Sequence, residues 1–281
     1  MKIIECPRDA MQGLHDFVPT ASKIAYINTL LEVGFDTIDF GSFVSPKAIP
    51  QLRDTAEVLA GLNLEKTASQ LLAIIANERG ANDALNFEEI NYLGFPLSIS
   101  EQFQQRNTKK SIIEALKTVE NINNLCQQKS KTLVCYISMG FGNPYGEEYN
   151  SDIVGNFTEK LDQIGIQIVS LADTIGSSSP QLITSVFSDI IPAFPHIEIG
   201  AHFHSTPQTA NEKLAAAFQS GCRRIDGAIG GMGGCPMAKD DLVGNIATEN
   251  IFAYLENIHI EMEINQEAYQ KSLAMKTELF G

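Results

Sequence analysis

Apolar residues along this chain fall into two alternating patterns, short continuous runs and longer stretches in which they recur every three or four positions. The short runs read as strands at 3–6, 37–41, 73–76, 89–93, 132–139, 168–172, 197–202 and 224–228. The longer ones read as amphipathic helices; residues 20–33, for instance, place Ile24, Ile27, Leu30 and Leu31 on one face. Gly34, Gly165 and Gly221 stand just past three such helices, where glycine takes the left-handed conformation cheaply and stops the helix. Strand then helix, eight times over, predicts a parallel α/β fold.

Length narrows the choice. Eight units in 281 residues leave about 35 per unit, the size of one strand plus helix in a (β/α)8 TIM barrel. We expect a single catalytic domain over 1–281, with a short C-terminal helical extension after the eighth unit. No linker, composition break or low-complexity run divides the chain. An open doubly wound sheet is the alternative, but the chain has no G-x-G-x-x-G after its first strand and no G-x-x-x-x-G-K-[ST].

A hydrophobic fraction of 44% is enough for a full core, and the formal net charge of −14 argues against nucleic acid or an anionic membrane surface as a partner. No apolar run reaches the roughly 18 residues of a membrane helix, and the segment before the first strand is too short for a signal or transit peptide. A cytoplasmic protein is the expectation. Cys6, Cys126, Cys135, Cys222 and Cys235 are odd in number, scattered and without a C-x-x-C pair, so reduced thiols are expected rather than disulfides or a zinc knuckle.

In such a barrel chemistry collects at the carboxyl ends of the strands. There the chain places Arg8, Asp9 and Gln12; Asp39; Tyr136, Ser138 and Asn143; Asp173 and Thr174; His202 and His204; and a glycine-rich stretch leading to Cys235. Alternate strand residues face the same side, so His202 and His204 can meet one ion; the plainer reading is two histidines satisfied by water or backbone. Asp9 favours the metal reading, because strand one is separated from strand seven only by strand eight. Nitrogen and oxygen donors without a thiolate suit Mg2+ or Mn2+ with open positions for substrate oxygens. Arg8 is either an inter-loop salt bridge or, beside a metal, the stabiliser of a developing oxyanion. Cys235 follows Gly230, Gly231, Gly233 and Gly234, which reads as a flap carrying a functional thiol.

Six ordered segments carry a resemblance to a known family. They are Pro7-Arg8-Asp9-Ala10-Met11-Gln12, the run from Ser42-Phe43-Val44-Ser45-Pro46-Lys47 to Pro50-Gln51, Asp173-Thr174-Ile175-Gly176, Ala201-His202-x-His204, Gly231-x-Gly233-Gly234-Cys235-Pro236 and Gly244-Asn245. From residue 3 to about 255 the chain resembles 3-hydroxy-3-methylglutaryl-CoA lyases, within the metal-dependent TIM-barrel lyases and synthases. The resemblance implies retro-Claisen cleavage of 3-hydroxy-3-methylglutaryl-CoA to acetyl-CoA and acetoacetate, a divalent metal and no organic cofactor, an acyl-CoA substrate, a homodimer and a place in leucine degradation. It implies Asp9, His202, His204 and Asn245 as metal ligands, with Arg8, Asp39, His202 and Cys235 catalytic. Arg8 would stabilise the thioester enolate and Cys235 would take part in proton transfer. Gln12, Lys47, Ser138, Asp173 and Thr174 would contact substrate.

Four departures stand out. Ser205 follows His-x-His where the family has Asp, Asp39 replaces a glutamate, Gly13-Leu14-His15 lacks a lysine that relatives aim at CoA phosphates, and the loop from Cys235 to Asn245 is one residue longer. They motivate a second reading, cleavage of a different 3-hydroxyacyl-CoA. A Claisen-type synthase is disfavoured because such proteins carry further C-terminal domains. A non-catalytic scaffold barrel is disfavoured because Arg8, Cys235 and all four implied ligands are present. An anionic CoA ester on an acidic protein must rest on local cations such as Lys47, Lys239 or Arg8.

Overall fold

Each expected strand forms, and the eight close on themselves in chain order: β1 (Lys2–Glu5), β2 (Thr37–Ser42), β3 (Gln70–Ile74), β4 (Ile90–Ser98), β5 (Thr132–Ser138), β6 (Ile168–Asp173), β7 (Glu198–Phe203) and β8 (Arg224–Gly227). This computed structural model describes residues 1–234 and 243–280. All pairings are parallel, and β8 returns to β1 through Lys2↔Arg224 to Glu5↔Gly227. The strands are buried on both faces, which is why they read as continuous apolar runs rather than alternating ones.

The described helices are α1 (Pro7–Gln12), α2 (Thr20–Val33), α3 (Thr55–Ala60), α4 (Glu78–Ala84), α5 (Glu101–Thr108), α6 (Ile112–Gln128), α7 (Ser151–Ile164), α8 (Pro180–Ala193), α9 (Ala210–Gln219), α10 (Thr248–Asn257) and α11 (Gln266–Phe280). Gly34 and Gly165 end α2 and α7 with φ of 93° and 86°, as their positions predicted. α10 follows β8 as the helix of the eighth unit, and the C-terminal extension is α11. The latter packs on α2, with Tyr26 and Phe280 edge to face at 5.6 Å and the Asn265 amide donating to Val33 O at 2.9 Å. No described helix is long and apolar enough to cross a membrane.

Two strands differ from expectation in ways that shape the site. β4 runs on to Ser98 through Gly94 and Pro96, residues that read as breakers. Its pairing with β3 stops at Gly94 while pairing with β5 continues to Ser98, so Pro96 sits where one side needs no donor. β2 is bulged between Asp39 and Gly41, which re-aims the strand end bearing Asp39.

Glu5 ends β1 fully buried, accepting from the Ile229 amide at 2.8 Å and the Thr248 hydroxyl at 2.5 Å. It thereby ties β1 to the turn after β8 and to the start of α10. Burial pushes its carboxyl up to about 8 despite those two donors. A carboxyl raised in the folded state favours folding most below its ordinary value and loses that contribution as pH rises through the folded one. Between pH 5 and 9 the wild type is therefore expected to lose stability relative to Glu5→Gln, and urea midpoints of the two proteins across that range check it. Parallel curves would show that Glu5 does not titrate there.

Candidate active site

The chain leaves β1 through Cys6 and enters α1 at once, with Pro7 in the first helical position where its missing N–H costs nothing. Arg8 and Asp9 were expected at an extended strand end; instead they lie on a helical turn, which brings Arg8, Asp9 and Gln12 to one face. The Arg8 guanidinium is clamped. Its Nε and Nη2 donate to Asp39 at 3.0 and 2.6 Å, and its Nη1 donates to Asp9 at 2.8 Å and Gln12 at 3.0 Å. Gln12 also donates to Asp9. Arg8, Asp9 and Asp39 are 7%, 4% and 1% exposed, so this is an ion triad in low dielectric with a fixed geometry. Burial pushes the Asp39 carboxyl up to about 6 against the pull of Arg8. At Asp9 burial is outweighed by Arg8 and then by the two histidines, which hold the carboxyl down at about 2.

His202 and His204 come from the end of β7 with ring centroids 5.4 Å apart. Asp9, His202 and His204 each bring one ligand atom within 4.8 Å of the others, and all three are buried. Asn245 lies beside them, its Nδ2 donating to Asp9 Oδ2 at 2.6 Å and to Met232 O at 2.8 Å. One carboxylate, two imidazoles and an adjacent amide, all out of water, form a donor set that fits a divalent ion. His202 is oriented from behind, with Nδ1 3.1 Å from Asp226 Oδ2 on β8. Burial works against a charge on His202, but Asp226 and then Asp9 outweigh it and raise its pKa. Burial and the neighbouring His202 push His204 down to about 4. Asp226 thus acts on His202 as a carboxylate orienting a metal-binding histidine does.

Beside the cluster opens a cavity of about 350 Å3, lined by Arg8, Asp9, Gln12, His202 and His204 on one side. Ser138 and Thr174 also line it, and the Thr174 hydroxyl accepts from the Met139 amide at 2.8 Å. Asp173 does not face the cavity. Its carboxylate accepts from Ser177 N, Ser178 N and the Ser178 hydroxyl at 3.0, 3.1 and 2.5 Å, and from Lys213 Nζ at 2.7 Å. Lys47 is exposed and is not among the lining residues, and Cys235 and Lys239 lie outside the described residues.

Two residues of this region were not read from the sequence. Asp226 is two positions after Arg224, so strand parity put it on the inner face. Lys213 shares a helical face with Ala210, Leu214 and Ala217, and a lysine in that row is the signal of a buried charge. Lys213 is 1% exposed and all three of its protons are used, on Asp173, Gly176 O at 2.8 Å and His204 O at 2.9 Å. It ties the β6 turn bearing Thr174 to the β7 end bearing His204. Lys213→Met leaves Asp173 a buried, uncompensated charge, with an expected stability loss of about 3–5 kcal/mol by urea unfolding. A loss within experimental error would mean that the two loops hold their positions without it.

The HMGL-like family matches residues 2–274. A hydroxymethylglutaryl-CoA lyase of Bacillus subtilis is 37% identical over 261 residues, 93% of this chain and 86% of that protein. A 3-hydroxy-3-isohexenylglutaryl-CoA/hydroxy-methylglutaryl-CoA lyase of Pseudomonas aeruginosa is 32% identical, covering 93% and 86%. The solved HMG-CoA lyase of Acenitobacter baumannii, in complex with coenzyme A and 3-methylmalate, superposes with a TM-score of 0.91 at 33% identity, covering 100% of this chain and 91% of that one. The chain therefore belongs to the HMGL-like family and, within it, to the hydroxymethylglutaryl-CoA lyases, carbon–carbon lyases built on a (β/α)8 barrel.

Proposed function

We propose that this protein cleaves 3-hydroxy-3-methylglutaryl-CoA to acetyl-CoA and acetoacetate, with Mg2+ or Mn2+ held by Asp9, His202, His204 and Asn245. The observation that carries the reading is the clamped Arg8 guanidinium touching the same Asp9 that completes the histidine cluster. A divalent ion bound there would polarise the C3 hydroxyl and steady the product carbonyl.

The rest is done by the chain. The C3 hydroxyl loses its proton, the C2–C3 bond breaks, and its electron pair moves into the thioester enolate. Arg8, fixed before substrate arrives, meets that negative charge without reorganising. Asp9, with its low pKa, is a poor acceptor for the hydroxyl proton. His202 gives Nδ1–H to Asp226 and would give Nε2 to the ion, so neither of its nitrogens is free for that proton, which passes to water in the cavity. A proton then returns to C2 to give acetyl-CoA, a step this reading assigns to Cys235. Ser138 and Thr174 offer hydroxyls to the substrate carboxylate. Acetoacetate release from 3-hydroxy-3-methylglutaryl-CoA in the presence of Mg2+ or Mn2+, abolished by a chelator, is the expected result. No release with either ion would overturn the reading.

One observation favours a second substrate. Val44, Ile49, Ile74, Ala76, Pro96 and Phe103 give the cavity an apolar wall larger than a single C3 methyl needs. A longer C3 branch, as in the name of the Pseudomonas aeruginosa relative, would lie against it. A tenfold or higher kcat/KM for a 3-isohexenyl over a 3-methyl substrate would transfer the assignment to the longer acyl group.

A further inference from the structure

Below the histidine cluster, and joined to it through Asp226, the barrel interior holds a second polar group. Tyr136 on β5 stands opposite Ser170 on β6, and Asp226 on β8 stands opposite His202 on β7. Arg224 is two residues before Asp226 on the same inner face. All four of Tyr136, Ser170, Arg224 and Asp226 are buried, at 7%, 0%, 1% and 2% exposure. Among the described residues, the Tyr136 hydroxyl, the Ser170 hydroxyl, Arg224 Nε and Nη2, and Asp226 Oδ1 have no hydrogen-bond partner. Arg224 spends only Nη1 on protein, on Glu198 at 3.1 Å.

The backbone makes room for these side chains. A Cβ on Gly200 would come within 2.9 Å of Arg224 Cδ, and one on Gly94 within 3.1 Å of Tyr136 Cε2. Two glycines in the middle of strands thus let a guanidinium and a phenol reach across the barrel. Leaving a buried hydroxyl unsatisfied is costly, and leaving a buried charge so is costlier still. These atoms make no hydrogen bonds to one another. Water supplies donors and acceptors alike, and buried polar groups without protein partners are where it is retained. Tyr136 meets His202 edge to face with ring centroids 5.7 Å apart, which puts the phenol beside the His202–Asp226 pair.

We propose that Arg224, Asp226, Tyr136 and Ser170 enclose a buried water cluster, and that Arg224 acts through it as a positioning residue for the metal site. The guanidinium and its waters anchor the outer oxygen of Asp226. The inner oxygen of Asp226 accepts the Nδ1–H of His202, which leaves Nε2 for the side shared with Asp9 and His204. Arg224 therefore touches neither substrate nor ion, yet sets the angle and tautomer of one ligand.

This inference rests on the metal-site reading, and its test separates the two. Mn2+ binding to the whole protein is measured by calorimetry, and the visible spectrum is recorded with Co2+ in its place, for wild type, Arg224→Met and Arg224→Lys. Arg224→Met is expected to bind Mn2+ about 10- to 100-fold more weakly and to shift the Co2+ bands, with Arg224→Lys recovering most of both. Arg224→Gln, polar but uncharged, gives the same weakening should Arg224→Met fail to fold. A high-resolution crystal structure of the wild type is expected to show waters bridging Arg224 to Asp226. Unchanged Mn2+ affinity and Co2+ spectrum in folded Arg224→Met, or a dry chamber in the crystal, overturns the inference alone. Failure of the wild type to take up any divalent ion overturns the metal-site reading and the relay together.

Discussion

Arg8→Gln is expected to lower kcat by about a hundredfold or more while changing KM little, with the fold retained. A guanidinium has five N–H groups. Among the described residues four are engaged, one from Nε and one from Nη2 on Asp39 and two from Nη1 on Asp9 and Gln12, which leaves one Nη2–H for whatever occupies the cavity that Arg8 lines. The two carboxylates and the amide fix where that last proton points. An enolate forming there meets a donor already in place, and the ground-state thioester, with less charge, gains less from it. Loss of the donor therefore falls on kcat. Gln keeps one amide and the approximate length, but it cannot bridge Asp39 and Asp9 and carries no charge. Lysine restores the charge as a point and not the fork, so Arg8→Lys is expected to recover little. Asp39, where the resemblance implied a glutamate, reaches both Nε and Nη2 with its shorter carboxylate. Because burial lifts Asp39 to about 6, kcat/KM is expected to fall as pH drops below that value, when protonation of Asp39 loosens the clamp. Stopped-time assays of released acetoacetate, with circular dichroism as the check on folding, measure both. Turnover of Arg8→Gln within tenfold of wild type would remove Arg8 from the chemistry.

Most of the barrel was legible because a parallel strand buried on both faces writes its whole length in apolar residues. The exceptions have local causes. β4 was read short because Gly94 and Pro96 look like breakers, and what permits them is a feature of pairing, the early end of the β3 ladder. α1 was not read as a helix because six residues are too few to show helical periodicity, although Pro7 marks the start. At the site, strand parity was enough to bring His202 and His204 together, and closure of the barrel to bring Asp9 to them. What supports them was not legible. Ser205 in place of the family's Asp suggested a lost acceptor for a histidine, yet the acceptor on His202 is Asp226, which comes from the next strand, 24 positions away. Asp173 was expected to touch substrate from its motif, and its carboxylate is instead spent on its own turn and on Lys213. A one-dimensional pattern shows which face a residue takes, but not which of two buried charges will find it there.

His202→Ala is the second large effect, expected to abolish stoichiometric uptake of Mn2+ and to lower turnover by about a hundredfold or more. The substitution removes one of three clustered donors, and it also leaves Asp226, whose carboxylate is buried, facing an empty space with neither oxygen bonded to protein. Two consequences are mixed in this variant, lost coordination and an orphaned charge, and only the first bears on function. Asp226→Asn in the same background separates them, because it removes the charge without restoring a ligand. The double variant is expected to regain thermal stability over His202→Ala, read as Tm, while remaining unable to hold Mn2+. If the double variant regained metal and turnover as well, the damage in His202→Ala would be electrostatic and His202 would not be a ligand. Retention of tight Mn2+ binding by His202→Ala itself would have the same meaning, since Asp9, His204 and Asn245 would then suffice. The result that the geometry requires is metal and activity lost in both variants, with stability lost chiefly in the first.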